Sequence, residues 1–468
     1  MVKVKTYQKS MKAFSQACRY LPGGVDSPVR AFGGVHPVRK EGRSSNGVQP
    51  HFSSPLFIAH AKGSKIYDID GNEYIDYVCS WGAMIVGHSQ PAVIKAVREA
   101  AKKGTSYGAP TLAESALAKK VTEAFDSIEK VRFVSSGTEA VMTAVRLARG
   151  WTKRDLIVKM AGCYHGHSDS LLTSAGSGVA EHAIASSAGV PDSIAKLTVV
   201  IPFNDIEAAK AAFRRHKGKI AAVLVEPVAA NMGVVPPVEG YLDGLRQLCN
   251  QEDSVLIFDE VITGFRVAPG GAQQLYGIRA DITTLGKVVG GGLPLAAVGG
   301  HADIMDMLAP TGPVYQAGTL SGNPVATAAA NATLDLLEAR CWILDSRRVS
   351  SFEYLESRTA LLELGLANAA KEAGAAITIN RVGSIMSCFF TNKPVRNFTD
   401  VVGTDVRRFK RFFAEMLNRG IYLAPSAYEA MFVSLAHSKK DIEKTIEAAK
   451  ESFRKACPEC NRRVKVVL

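Results

Sequence analysis

Thr283-Thr284-Leu285-Gly286-Lys287-Val288-Val289-Gly290-Gly291-Gly292-Leu293-Pro294 sets one lysine between a short polar turn and three consecutive glycines. A solvated lysine titrates near ~10.4 and is a poor nucleophile at neutral pH, whereas a desolvated one can attack a carbonyl. The glycines let backbone and ligand approach where a side chain would clash. Taken alone, the stretch also reads as a surface lysine beside a loop, because it fits neither a Walker loop nor a dinucleotide GxGxxG. What precedes it sharpens the reading. Ser254-Val255-Leu256-Ile257-Phe258-Asp259-Glu260-Val261 is an apolar strand ending in acid, and Asp259 lies 28 positions before Lys287.

A strand-end carboxylate and an amine that condenses with an aldehyde are what pyridoxal 5'-phosphate needs. The lysine holds the aldehyde, and the carboxylate keeps the ring nitrogen protonated so that the ring can absorb electrons. The rest of the chain agrees with an enzyme of this kind. Its 468 residues are too many for one small core and predict two or three domains. Apolar residues at 47% and charged residues at 21% are ordinary for a soluble enzyme. The net charge of +12 could attract nucleic acid, but the basic residues are dispersed, without an Arg-rich arm or a helix-turn-helix pattern. We read the charge as solubility and attraction for acidic substrates, with neither nucleic acid nor membrane as partner. The eight cysteines are scattered, which fits a reducing compartment. Cys457-Pro-Glu-Cys460 lacks a second ligand pair, so no metal is expected there. Neither a signal peptide nor an apolar run of about 20 residues is apparent. The expected location is the cytoplasm, or the plastid stroma in a photosynthetic eukaryote.

Along the chain, residues 7–20 read as a short amphipathic helix, and Leu21 to Phe32 as a Pro/Gly loop carrying Ser27 and Arg30. That arginine is either a grip for a small carboxylate or a solvated loop residue. Residues 37–55 read as a surface insertion. Strands follow at 56–60, 65–69 and 73–77, the last two joined by an Asp70-Gly71 turn, and helices at 91–103 and 111–125. The strand Val131–Val134 runs into Ser135-Ser136-Gly137-Thr138-Glu139, which opens a helix. This is either an ordinary cap or a phosphate cradle. After the strand 156–160, Tyr164 or His165 is expected to lie against a flat ring; His165, His167 and Asp169 lack the spacing of a metal site. Residues 173–192 are Ser-, Ala- and Gly-rich and read as a flap or a surface loop. Strands at 197–201, 220–225 and 254–258 alternate with helices at 205–216 and 240–251, the rhythm of a mostly parallel sheet. Such sheets bind ligands at the strands' carboxyl ends, where Glu226, Asn231 and Asp259 fall. An Ala-rich helix spans 323–340. The remainder reads as a smaller α/β domain with strands near 376–379 and 384–390 and helices at 405–419 and 439–456.

Taken together, Ser136-Gly137-Thr138-Glu139-Ala140, Asp259-Glu260-Val261 and Lys287 resemble the class III, fold-type-I pyridoxal-phosphate enzymes. Narrower motifs resemble the glutamate-1-semialdehyde aminomutase branch of that class. They include Gly23 to Phe32, Gly104 to Pro110, Tyr164-His165-Gly166-His167, Ala175 to Ala180, Tyr315 to Pro324 and Ala424 to Ala430. The chain departs from that pattern at the long 37–55 stretch, at Ala230 and at Leu295 to Val298. The resemblance implies an α/β fold: a large domain with a mostly parallel mixed sheet flanked by helices, plus a smaller α/β domain built from the N- and C-terminal segments. The expected boundaries are 1–90, 91–340 and 341–468.

The resemblance also implies roles. Lys287 carries pyridoxal 5'-phosphate, alternating with its pyridoxamine form, and moves protons. Asp259 pairs with the ring nitrogen. Ser136, Gly137 and Thr138 bind the phosphate, helped by Gly318 and by Thr319 of the partner subunit in a homodimer. Tyr164 and Val261 take the two ring faces, and Asn231 the phenolic oxygen. Arg30 and Ser27 hold the substrate carboxylate, with Trp81, Ser177 and Glu429 lining the pocket. The implied reaction turns glutamate-1-semialdehyde into 5-aminolevulinate through 4,5-diaminovalerate, and the upstream glutamyl-tRNA reductase is a further expected partner. An ω-aminotransferase with an external amino donor is the alternative within the class, and a pyridoxal-sensing regulator the alternative outside it.

Overall fold

Leu156–Met160, Thr198–Ile201, Ile220–Val225 and Val255–Glu260 are buried along their whole length, so they read as largely apolar runs rather than alternating ones, interrupted by Lys159 and ended by Asp259 and Glu260. They form the middle and one edge of a seven-stranded sheet. A computed structural model describes residues 5–32, 54–174, 184–339, 342–344 and 346–457. Across the sheet the order is Lys130–Val134, Ala296–Gly300, Ile282–Leu285, Val255–Glu260, Ile220–Val225, Leu156–Met160 and Thr198–Ile201. Only Ala296–Gly300 runs against the others.

Both faces are covered. On one side the helix Gly137–Thr152 buries Val141, Ala144, Val145 and Ala148 against Ile157, Leu224, Ile257 and Ile282. On the other, Ile206–Arg215 and Tyr241–Gln251 bury Phe213, Leu245 and Leu248 against Val158, Val223 and Phe258. Truncating a side chain such as Phe258 to alanine would cost about 3–5 kcal/mol, from lost burial plus the cavity left behind.

A four-stranded sheet joins the two ends of the chain. Ile58–Lys62, Lys65–Asp68 and Glu73–Asp76 form a meander, and Ile421–Tyr422 pairs in parallel with Glu73–Asp76. Gly71, at φ +86°, makes the turn the sequence predicts. Asp68 caps it by accepting the Asn72 N–H at 2.8 Å. Thr378–Val382, Ile385–Phe389 and Met431–Phe432 form a further sheet. The helices Ser351–Glu372, Val406–Asn418 and Lys439–Ala456 contribute to the largest core cluster beside these strands.

Three elements depart from the sequence expectation. Thr283 and Thr284 are not a polar turn but the middle of a fully buried strand. Ala296–Gly300, to which the sequence reading gave no element, is a strand, and Gly300 is small there because a Cβ would stand 2.2 Å from the Asp281 carbonyl oxygen. The helix Ser351–Glu372 was not anticipated, although Ser350 and Glu353 form the capping box that starts it. Of the expected insertion, residues 37–53 lie outside the described residues. So do 175–183, within the expected flap; the segments on either side of them, Thr173–Ser174 and Ile184–Ala185, pair antiparallel. Among the described residues, no helix is long and apolar enough to cross a membrane.

Candidate active site

Polar side chains gather past the carboxyl ends of the sheet's parallel strands. Asp259 lies near the end of one strand, and Lys287 stands two residues past the end of the neighbouring one. Gly137 and Thr138 open the helix after Lys130–Val134, while Tyr164 and His165 follow Leu156–Met160. A cavity of about 210 Å³ lies between them, lined also by Asn231 and Val261. Seven of the residues singled out in the sequence thus meet in one place: Gly137, Thr138, Tyr164, Asn231, Asp259, Val261 and Lys287.

Asp259 is fixed from both sides. Its Oδ1 accepts the Val261 N–H at 3.1 Å and the Thr284 hydroxyl at 3.0 Å, and its Oδ2 meets His165 Nδ1 at 2.7 Å. This gives His165 a different post from the one expected. It is buried and bonded to the acid, and it lines the cavity together with the exposed Tyr164. The Nε2 of His165 is buried without a hydrogen-bond partner among the described residues. Such a carboxylate, oriented by three neighbours, is pre-set to pair with a protonated ring nitrogen.

Glu226, which the sequence reading noted only by its place past a strand, is a second buried acid. It accepts the Tyr164 N–H at 2.9 Å, the Asn231 amide at 2.9 Å and the Ala230 N–H at 2.8 Å. Burial foremost raises its carboxyl above the usual range. Cys163, His165 and Glu226 bring three ligand-type atoms within 4.8 Å of one another. They make a poor metal site. The Cys163 thiol is pushed well up by burial, and the acid and the imidazole already serve other partners.

Lys287 is partly buried, and desolvation lowers its pKa against the opposing pull of Glu226, Glu429 and Asp259. A lowered ammonium pKa raises the share of free amine, the form a carbonyl-attacking lysine requires. Glu429 does not line the cavity, yet its charge is felt at Lys287. Burial, opposed by Lys287, raises the Glu429 carboxyl to about 7.

The residues present fit pyridoxal phosphate. The N–H groups of Gly137 and Thr138, in the first turn of a helix, have no carbonyl to bond within it. The space before them is kept by small residues. A Cβ on Gly166, at φ +85°, would stand 2.6 Å from Thr138 Oγ1, and one on Gly137 would stand 3.2 Å from Val261. Ser136 caps the same helix, its Oγ accepting the Glu139 N–H at 3.2 Å.

Other expected residues lie apart from this cavity. Arg30, Gly318 and Thr319 are exposed, and Ser27 and Trp81 are half-buried; none of them is part of the cavity wall. Ser177 lies outside the described residues. Gly318 borders a second hollow with Arg132 and Gln316, whose side chains bond at 3.0 Å.

Comparison with known proteins agrees with this geometry. The family described as aminotransferase class-III matches residues 47–453. A glutamate-1-semialdehyde 2,1-aminomutase of Desulforamulus reducens is 52% identical over 97% of this chain and 99% of its own. An omega-transaminase from Sphaerobacter thermophilus superposes with a TM-score of 0.85 at 30% identity, covering 96% of this chain and 99% of that one. A glutamate-1-semialdehyde-aminomutase from Pseudomonas aeruginosa gives 0.81 at 25% identity, over 96% and 95%. On this evidence the chain belongs to the class-III aminotransferases, and within them to the glutamate-1-semialdehyde 2,1-aminomutase family.

Proposed function

We propose that this chain moves an amino group within glutamate-1-semialdehyde to give 5-aminolevulinate, the amine leaving C2 and arriving at C1. The cofactor is pyridoxal 5'-phosphate, which when bound supplies an electron sink and a carrier for the amino group. Lys287 holds it and shuttles the proton through Nζ. Asp259, braced by His165 and Thr284, keeps the ring nitrogen protonated. Gly137 and Thr138, at a helix N-terminus, receive the phosphate beside Ser136. Tyr164 and Val261 cover the ring, and Asn231 reaches the phenolic oxygen.

The observation that carries the isomerase reading is the likeness over nearly the whole chain to proteins named glutamate-1-semialdehyde 2,1-aminomutase. A transaminase must admit a second carboxylate substrate after releasing the first. Glu429, with its carboxyl raised to about 7, disfavours that second substrate once it is ionised. Arg30 and Ser27 then anchor the single carboxylate the substrate carries, with Trp81 and Ser177 beside it.

A homodimer belongs to the same reading. Gly318 and Thr319 are exposed on a loop with Tyr315 and Leu320, and the partner subunit's Thr319 would complete the phosphate site. Delivery of a reactive aldehyde favours contact with the upstream glutamyl-tRNA reductase. The six described cysteines are free, in keeping with a reducing compartment such as the cytoplasm or the plastid stroma.

The test supplies protein stripped of free amino acids with the semialdehyde alone. Product accumulating over many turnovers is expected. Product stopping after one enzyme equivalent, and resuming only on addition of glutamate or alanine, would replace this reading with an ω-aminotransferase.

A further inference from the structure

Cys79, Ser80, Trp81 and Gly82 have φ of 47°, 53°, 59° and 94°. Four in succession make one left-handed helical turn, closed by the Gly82 N–H on the Val78 and Cys79 carbonyls, both at 3.1 Å. Only glycine adopts this conformation without steric cost, so three of the four residues are strained, and such strain persists only where neighbours enforce it. Asp76 does so from one side, its carboxylate accepting the Val78 N–H at 2.8 Å and the Cys79 N–H at 3.1 Å.

Arg266 does so from the other. It is 1% exposed and donates to the Gly82 carbonyl, to the Val433 carbonyl at 2.8 Å and to Ser384 Oγ at 3.3 Å. Its guanidinium carbon lies 5.5 Å from the Phe432 ring centroid, and a Cβ on Gly82 would stand 2.6 Å from the same ring. No carboxylate among the described residues pairs with Arg266, and its Nε–H is buried without an acceptor. A buried guanidinium is ordinarily matched by an acid. This one is spent on neutral acceptors, two of them backbone carbonyls from opposite ends of the chain.

The turn adjoins the site. Met84 Sδ lies 3.0 Å from where a Cβ on Gly292 would stand, in the glycine run after Lys287. Phe432 follows Glu429 by three residues. The 79–84 stretch therefore packs against Phe432 on one side and against the glycine run that follows Lys287 on the other.

We propose that Arg266 is a positioning residue: it holds the 79–82 turn left-handed, and with it Met84, whose N–H bonds the Cys79 carbonyl at 3.0 Å and whose sulfur packs on the glycine run after Lys287, and by doing so it sets substrate affinity. The identity of the substrate rests on the aminomutase reading above; the conformational claim does not.

The test uses the holoenzyme with Trp151→Phe and Trp342→Phe, leaving Trp81 as the only tryptophan. In Arg266→Met, acrylamide quenching of Trp81 should rise about twofold as the turn opens. KM for the semialdehyde should rise about tenfold with kcat within about threefold. Ser80→Gly, which removes strain from the same turn, should recover part of both effects. Unchanged quenching overturns the proposal. So does a fall in kcat at constant KM, which marks lost active protein rather than a displaced turn. Arg266→Lys, measured alongside, carries the test where Arg266→Met does not fold. Quenching needs no substrate, so a failed isomerase assay in the parent protein would sink the aminomutase reading and leave that arm standing.

Discussion

The surroundings of Asp259 and the loop bearing Gly318 and Thr319 serve one proposed site but are built in opposite ways. Asp259 is 5% exposed and its neighbour His165 1%, and the acid's three contacts come from within the same chain. Around Thr319 the chain leaves Tyr315 72% and Leu320 54% exposed, with Leu112 at 90% elsewhere on the same chain. Large apolar side chains left in water suit a surface that another surface covers, as the proposed dimer would. The inner half is preorganised by one chain's fold, while the outer half would be completed only in that dimer.

That contrast breaks first at Asp259. Asp259→Ala leaves the His165 ring, the Thr284 hydroxyl and the Val261 N–H without their acceptor. Cofactor affinity should fall about 100-fold, read from the absorbance of the bound form after dialysis, and activity should follow. Unchanged affinity would mean that a different acid holds the ring nitrogen. Thr319→Ala tests the outer half. The residue is exposed, so thermal unfolding of the cofactor-free protein should not move. Cofactor affinity should still drop about tenfold, the loss of one phosphate hydrogen bond. Equal affinity would confine the phosphate site to one chain.

The smallest effect is a pH dependence of the inner half. Burial raises Glu429 and Glu260 each to about 7. Unfolded, such carboxyls titrate near ~4.3. Between these values the folded chain holds more protons than the unfolded one, so stability is full below the lower value and declines as pH rises through the upper. Glu429→Gln removes one share of that decline. Denaturant titrations of cofactor-free protein at pH 5 and pH 8 should differ by about 1–2 kcal/mol less in the variant than in the parent. Identical differences would show that Glu429 is already ionised in the folded chain at the lower pH.

Much of this was legible in the sequence where burial is simple. Val255–Glu260 and Ile220–Val225 are buried on both faces, and their apolar runs announce it. Ile282–Leu285 is buried too, but its core positions are threonines whose hydroxyls are satisfied internally, Thr283 by Gln273 at 2.9 Å and Thr284 by Asp259 at 3.0 Å. Local pattern scores them as polar, because their partners lie 10 and 25 residues away. The same limit hid the post of His165, set by an acid 94 residues distant. Lys287, Asp259 and Gly137, which meet at one cavity, could be singled out because their spacing and flanking residues suit the chemistry; Arg30 and Thr319 rested on resemblance alone, since an exposed loop residue has no environment that the chain itself records.

Lys287 itself has φ +48°. A non-glycine residue there costs about 1–2 kcal/mol. The residue on which the proposed chemistry turns therefore sits where the fold alone would select glycine. At this position selection for activity and selection for stability pull in opposite directions. Lys287→Gly would relieve that strain, so the one substitution that most favours the local backbone is also one that removes the amine.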